Sequence, residues 1–254
     1  MILRWIFIDI GGPILDDGPL FRYLAEALQR ILREQGHRVT EESFHKAMRL
    51  GWRQGAPSTL DFIVRHFTLS EEEFRGAKEA YWQVYRDLSN EEYRSLQILR
   101  PGVPQALREL SSRFELATLS NNIVRVKGLL EDYGIAGFFS ASGISEEVGY
   151  SKPDLRLFQH VLRQADCRPE EAMMVGDRLD NDILPAQSLG LMTAHVKLEH
   201  NFGATSSALN GIDPDYEVDS LQELAQLLMT TSSSARTEGF FEEDVGPSWS
   251  GGAR

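Results

Sequence analysis

From Gly102 onward the chain keeps one rhythm: a short apolar run, a turn, a helical stretch, then another apolar run. This alternation restricts the fold more than any other feature. Residues 115–120, 138–142, 172–176, 192–196 and 216–218 have strand length and strand composition. The segments between and after them, 103–113, 123–133, 153–165, 183–189 and 221–229, read as helices. Strands that alternate with helices form a parallel sheet covered on both faces. Residues 3–9 add a first strand of the same kind, separated from the rest by a long block of different character.

That block has helical period and no strand signal. Leu20, Leu24, Leu28, Ile31 and Leu32 fall on one face, and Gly36 marks a stop. Thr40 and Ser58 are helix N-caps by type, and Ser70 with Glu73 forms a capping box ahead of residues 74–88. The expected fold is therefore α/β: a Rossmann-like parallel sheet core, residues 1–17 and 98–229, with a small all-helical domain, residues 18–97, inserted after the first strand. Residues 230–254 are rich in Ser, Gly and Glu without periodicity and read as a disordered tail. There are no internal repeats.

The 254 residues carry a net charge of -12, a surface that repels nucleic-acid backbones and anionic membranes. No apolar run approaches the roughly 20 residues that span a bilayer. Residues 1–12 are apolar but are interrupted by Asp9 and lack a small-residue cleavage site, so they read as a strand rather than a leader. Cys167 is the single cysteine, which rules out an internal disulfide and fits a reducing, cytoplasmic setting. Oligomeric state is not legible at this level.

Four stretches carry chemistry: Phe7 to Leu15 (FIDIGGPIL), Leu116 to Asn122 (LATLSNN), Tyr150 to Pro153 (YSKP) and Met173 to Asp182 (MMVGDRLDND). In three of them an apolar strand ends on a polar residue: Asp9, Ser120 and Asp177. Ligands of an open parallel sheet bind beyond the carboxyl ends of its strands. The remaining stretch supplies Lys152 beside Pro153. Carboxylates, a hydroxyl, an amide and an ammonium are the groups needed to hold Mg²⁺ and a phosphoryl group.

In order and content these stretches resemble the four motifs of the haloacid dehalogenase-like hydrolases, and the helical insertion resembles the cap domain of that superfamily's subfamily I. The resemblance covers about residues 3–229. It implies that Asp9 is a nucleophile forming an aspartyl-phosphate. It implies Mg²⁺ ligands at Asp9, at the backbone carbonyl of Gly11 and at Asp177, with Asp182 supporting the metal through water or orienting Lys152. Ser120 and the backbone of Asn121 would bind phosphate oxygens, and Lys152 would stabilise the charge on nucleophile and phosphoryl group. The implied activity is Mg²⁺-dependent hydrolysis of a small soluble phosphate monoester.

Position 11 departs from that pattern. Members commonly have a second aspartate there, which protonates the leaving oxygen and then activates water, worth roughly 10² to 10⁴ in rate. Gly11 keeps a carbonyl but has no acid. Three outcomes follow: a phosphatase with another proton source, such as neighbouring Asp16 or Asp17; a shift to carbon–halogen or carbon–phosphorus cleavage, the latter needing Lys46 or Lys78 of the cap as a Schiff base; or a silent binding or scaffold member. Trp52, Arg53, Arg65 and Trp82 are candidate pocket residues of the cap. Asp180, Asn122, Arg178, His37, His45, His66, His195 and His200 carry no motif-level signal and read as caps, surface or packed side chains.

Overall fold

The computed structural model describes residues 2–54, 56, 58–198 and 211–234. It opens with strand β1 (Trp5–Ile8) and the two-residue strand β2 (Leu15–Asp16). Five helices follow: α1 (Gly18–Glu34), α2 (Glu41–Arg53), α3 (Thr59–Phe67), α4 (Glu71–Asp87) and α5 (Asn90–Ser95). Strand β3 (Ile98–Leu99) then pairs antiparallel with β2. The alternating part comprises α6 (Val103–Ser111), β4 (Glu115–Ser120), α7 (Val126–Asp132), β5 (Phe139–Ile144), α8 (Ser145–Val148) and α9 (Leu155–Gln164). It continues through β6 (Ala172–Gly176), α10 (Leu184–Leu189), β7 (Met192–Val196), β8 (Tyr216–Val218) and α11 (Leu221–Ser234).

Six strands form one sheet in the order β5-β4-β1-β6-β7-β8, every pairing parallel. All four residues of β1 are buried, because helices cover both faces. Ile6 and Ile8 pack on one side with Leu107, Val175 and Leu224; Trp5 and Phe7 pack on the other with Leu119, Phe158 and Met174. This two-sided burial is why the strands read as continuous apolar runs. With β4 and β6 flanking β1, the carboxyl ends of these three strands lie side by side. The α/β architecture read from the sequence is the one observed.

The inserted helices bury Leu28, Leu32, Phe44, Val64 and Phe74 in a cluster of their own. Leu20, Leu24, Tyr85 and Tyr93 instead join the core under the sheet. Ser58 and Ser70 cap as expected, accepting from the amides of Asp61 (3.1 Å) and Glu73 (3.2 Å). The expected box at Ser70 is only half formed, because the Glu73 carboxylate takes the Leu69 amide (2.6 Å). The complete box is at Ser89 and Glu92, opening α5.

Several boundaries differ from expectation. The β2–β3 ribbon was not anticipated, since two-residue strands carry no period. Helix α7 begins at Val126 rather than residue 123, because Asn122 Oδ1 accepts the Ile123 amide in a turn that precedes it. Helix α11 runs to Ser234, into the stretch read as a tail; residues 235–254 and the disorder expected there lie outside the described residues.

Candidate active site

The adjacent ends of β1, β4 and β6 open into a cleft of about 980 Å³ between the sheet and the inserted helices. Asp9, Gly11, Ser120, Asn121, Lys152 and Asp177 all line it. Asp182 lies just behind, fully buried. Thus the residues singled out in the sequence converge, although they come from segments far apart in the chain.

Lys152 is the hub. Its buried ammonium lies 2.8 Å from Asp9 Oδ2 and 2.6 Å from Asp182 Oδ1. Burial by itself would lower its pKa, but Asp182 and Asp9 outweigh that and hold it above the usual lysine value, so the side chain is charged. The Asn121 side chain clamps the Lys152 backbone in both directions, its amide donating to Lys152 O (2.9 Å) and its Oδ1 accepting from Lys152 N (2.6 Å). Asp9 Oδ1 accepts the Ile10 amide (2.8 Å), which leaves Oδ2 to face lysine. Asp182 Oδ2 accepts the Arg178 amide (3.0 Å). A π-helical turn, Leu179–Ile183, swings Asp182 back under the strand end. Of the two roles expected for Asp182, the lysine contact is observed, and its carboxylate also lies in the cluster that could support a metal.

Two glycines admit these contacts. Gly12 has φ +88, and a Cβ there would lie 2.6 Å from Asp177 Cγ. A Cβ on Gly176 would lie 2.3 Å from Asp182 Cγ.

Asp9, Asp177 and Asp182 offer carboxylate oxygens within 4.8 Å of one another. Burial, then Asp182, Asp9 and Asp17, push the Asp177 carboxyl well above the ordinary carboxylate range, against the opposing effect of Lys152. One ammonium does not balance this many acids. The donor set is hard oxygen, so the site fits a small divalent cation such as Mg²⁺.

Sequence reading missed much of the wall. Asp17, Phe21, Arg22, Thr59, Arg100 and Asn181 also line the cleft. Of these, only Asp17 is named from the sequence, together with Asp16, as an alternative proton source. Its side chain is exposed to the cleft yet enclosed by protein on its other sides. That enclosure, then the Asp9 charge, pushes its carboxyl up to about 6, an effect moderated by water in the cleft. Arg178 lines the cleft, paired with Asp180 at 2.6 Å. His195 Nε2 lies 3.1 Å from the Asp177 carbonyl, whose oxygen accepts its proton, so this histidine positions the end of β6.

Other candidates lie elsewhere. Arg65 pairs with Glu71 and stacks on Phe74, and Trp82 packs on Tyr81 and Tyr85; neither is part of the cleft wall. Lys78 pairs with Asp61 at 2.8 Å, and Lys46 is likewise absent from the wall, so neither is set to form a Schiff base there. The side chains of Trp52 and Arg53, and His200, lie outside the described residues.

A family model described as haloacid dehalogenase-like hydrolase matches residues 3–190. The chain belongs to the haloacid dehalogenase-like hydrolases. It is 27% identical to a glyceraldehyde 3-phosphate phosphatase of Methanothermobacter thermautotrophicus, over 89% of this chain and all of that one. It is 26% identical to a phosphoglycolate phosphatase of Vibrio parahaemolyticus, covering 91% of this chain and 98% of the relative. Among solved structures, a haloacid dehalogenase-like hydrolase of Streptococcus pneumoniae superposes with a TM-score of 0.67 at 19% identity, over 89% of this chain and 98% of that one. This last likeness concerns the fold. As a member of the family the chain is a hydrolase, and no helix among its described residues is long and apolar enough to cross a membrane.

Proposed function

We propose that this hydrolase is a Mg²⁺-dependent phosphatase acting on a small soluble phosphate monoester through an aspartyl-phosphate on Asp9. The observation that carries the reading is the buried Asp9–Lys152–Asp182 chain of contacts at the mouth of a carboxylate-rich cleft. The phosphatase names of relatives matched over nearly their whole length support the same class. The single cysteine is consistent with a cytoplasmic enzyme.

In this reading Asp9 attacks phosphorus with the carboxylate oxygen that faces Lys152. Lys152 keeps Asp9 ionised and neutralises charge gathering on the phosphoryl oxygens, at no reorganisation cost, because Asp182 and Asn121 already fix its position. The Ser120 hydroxyl and the Asn121 backbone amide hydrogen-bond those oxygens. Mg²⁺, held by Asp9, the Gly11 carbonyl and Asp177 with support from Asp182, would draw further charge from the phosphoryl group. Residues 1–17 and 98–229 act as the catalytic core, and residues 18–97 as a cap that excludes water and contacts the organic part of the substrate through Phe21, Arg22 and Thr59.

The test is a panel of phosphate monoesters incubated with wild type and Asp9→Asn, with and without Mg²⁺. Mg²⁺-dependent phosphate release by wild type alone is expected. Release that survives in Asp9→Asn removes Asp9 as nucleophile. A folded wild type that binds phosphate esters without turning them over is a binding member of the family.

A further inference from the structure

We propose that Asp17, at the junction of core and inserted helices, is the proton-transferring carboxylate of this enzyme, in place of a side chain at position 11. The proposal rests on the phosphatase reading above. A Cβ on Gly11 would lie 2.7 Å from Asp17 Oδ2. The Asp17 carboxyl therefore lies against the point where a side chain at position 11 would begin. Gly11 is not among the glycines of positive φ, so its backbone does not demand glycine; a side chain there would instead have to displace the Asp17 carboxylate.

The orientation of Asp17 follows from what it does not do. It is the N-cap residue of α1, a place where aspartate ordinarily accepts a helix amide, yet it makes no capping hydrogen bond. Its carboxylate faces the cleft beside Asp9 and Asp177. Asp16 is committed elsewhere, accepting the Gly18 amide (3.1 Å) and pairing with Arg100 (3.8 Å). Asp182 is held by Lys152, and Asp180 by Arg178. Placement thus selects Asp17 from the acids at hand.

The chemistry balances over two steps. As Asp9 forms its bond to phosphorus, the bond from phosphorus to the leaving oxygen breaks. That oxygen keeps the electron pair and takes the Asp17 proton, giving an alcohol and an Asp17 carboxylate. Water then attacks the aspartyl-phosphate. Asp17 takes back a proton from that water, the phosphorus–Asp9 bond breaks, and Asp9 recovers its electron pair as inorganic phosphate departs. Because Asp17 begins the first inserted helix, movement of that helix would carry the acid toward or away from the reacting oxygen.

The experiment compares wild type, Asp17→Asn, Asp16→Asn, Gly11→Asp and the pair Gly11→Asp with Asp17→Ala, each checked for folding by circular dichroism. The first turnover of 4-nitrophenyl phosphate, whose leaving group needs little protonation, is measured beside that of glycerol phosphate. For Asp17→Asn the alkyl ester should lose about 10² to 10⁴ in rate, and the aryl ester far less. Intact mass spectrometry should find a phosphoryl adduct accumulating on Asp17→Asn with the aryl ester, since the water step is also impaired. Gly11→Asp alone should lower activity by pushing the Asp17 carboxylate out of its place, and the pair should recover alkyl turnover relative to Asp17→Asn. Equal loss on both esters without an adduct would make Asp17 structural and overturn the proposal, as would wild-type behaviour of Asp17→Asn or the same signature in Asp16→Asn. Absence of Mg²⁺-dependent turnover in wild type overturns the phosphatase reading itself and the Asp17 role with it, whereas aryl turnover retained by Asp17→Asn isolates any failure to Asp17.

Discussion

Lys152 is the residue whose loss should be felt most widely. Its ammonium is buried between Asp9 and Asp182, so Lys152→Met leaves two carboxylates without their cation. Breaking a buried pair from one side costs about 3–5 kcal/mol, which urea unfolding of the metal-free protein should report alongside a loss of turnover. Gly12→Ala should be damaging for a different reason. It meets both a positive φ and the Asp177 carboxyl at 2.6 Å, so the variant should lose stability and the Mg²⁺-induced rise in melting temperature together. A variant retaining that rise would mean that Asp177 can move aside without leaving the metal site.

Among the elements, α5 is short and holds Tyr93 in the core that joins the inserted helices to the sheet. Its capping box at Ser89 and Glu92 satisfies amides the helix cannot satisfy itself. Ser89→Ala should cost about 1 kcal/mol, readable as a lower urea midpoint with unchanged slope. The β2–β3 ribbon is the covalent crossing between the two parts of the molecule. Arg100 ties it down by donating from its amide to Ile14 O (3.0 Å) and from its guanidinium to Gly12 O. Arg100→Ala should therefore disturb the Gly11–Gly12 turn and the entry to α1 at once, changing kcat and KM together, as hinge substitutions do. A change in KM alone would assign Arg100 to substrate contact instead.

At the scale of the whole molecule, acids are in excess, with a net charge of -12, and three of them cluster within 4.8 Å at the cleft. Because the folded Asp177 carboxyl is held well above its unfolded value of 3.8, its contribution to stability is present below that value and is lost as pH rises through the folded value. Metal-free protein should accordingly lose this stability on going from acid toward neutral pH. The proposed Mg²⁺ would bind the ionised form, so a metal-induced rise in melting temperature should grow over the same range. Thermal melts with and without Mg²⁺ across a pH series check the sign; Asp177→Ala should abolish the Mg²⁺ trend and weaken the metal-free one, to which the raised Asp17 also contributes. A Mg²⁺ effect that is flat with pH would detach the metal from Asp177. Much of this architecture is legible in the chain itself. Residues 115–120, 172–176, 192–196 and 216–218 are strands as read, because each is an apolar run bounded by turn chemistry. The candidate site motifs are legible for a related reason: a strand that ends on a polar residue at the carboxyl edge of a parallel sheet presents it toward the cleft. Asp9, Ser120 and Asp177 are placed there by strand pattern, whereas Asn121 and Lys152 come from the resemblance to a known family, and the structure brings all five to one cleft. What the chain could not disclose is contact across the fold. The β2–β3 ribbon has no period, His195 reaches the Asp177 carbonyl from a neighbouring strand, and Asp17 reaches the space over Gly11 only because a turn folds residues 11 and 17 together. Local pattern determines which residues stand at strand ends, since strand and helix periods are properties of short segments. Which carboxylate stands beside position 11 is decided by tertiary structure alone, because it depends on the path of a turn and on side chains that other partners had already claimed.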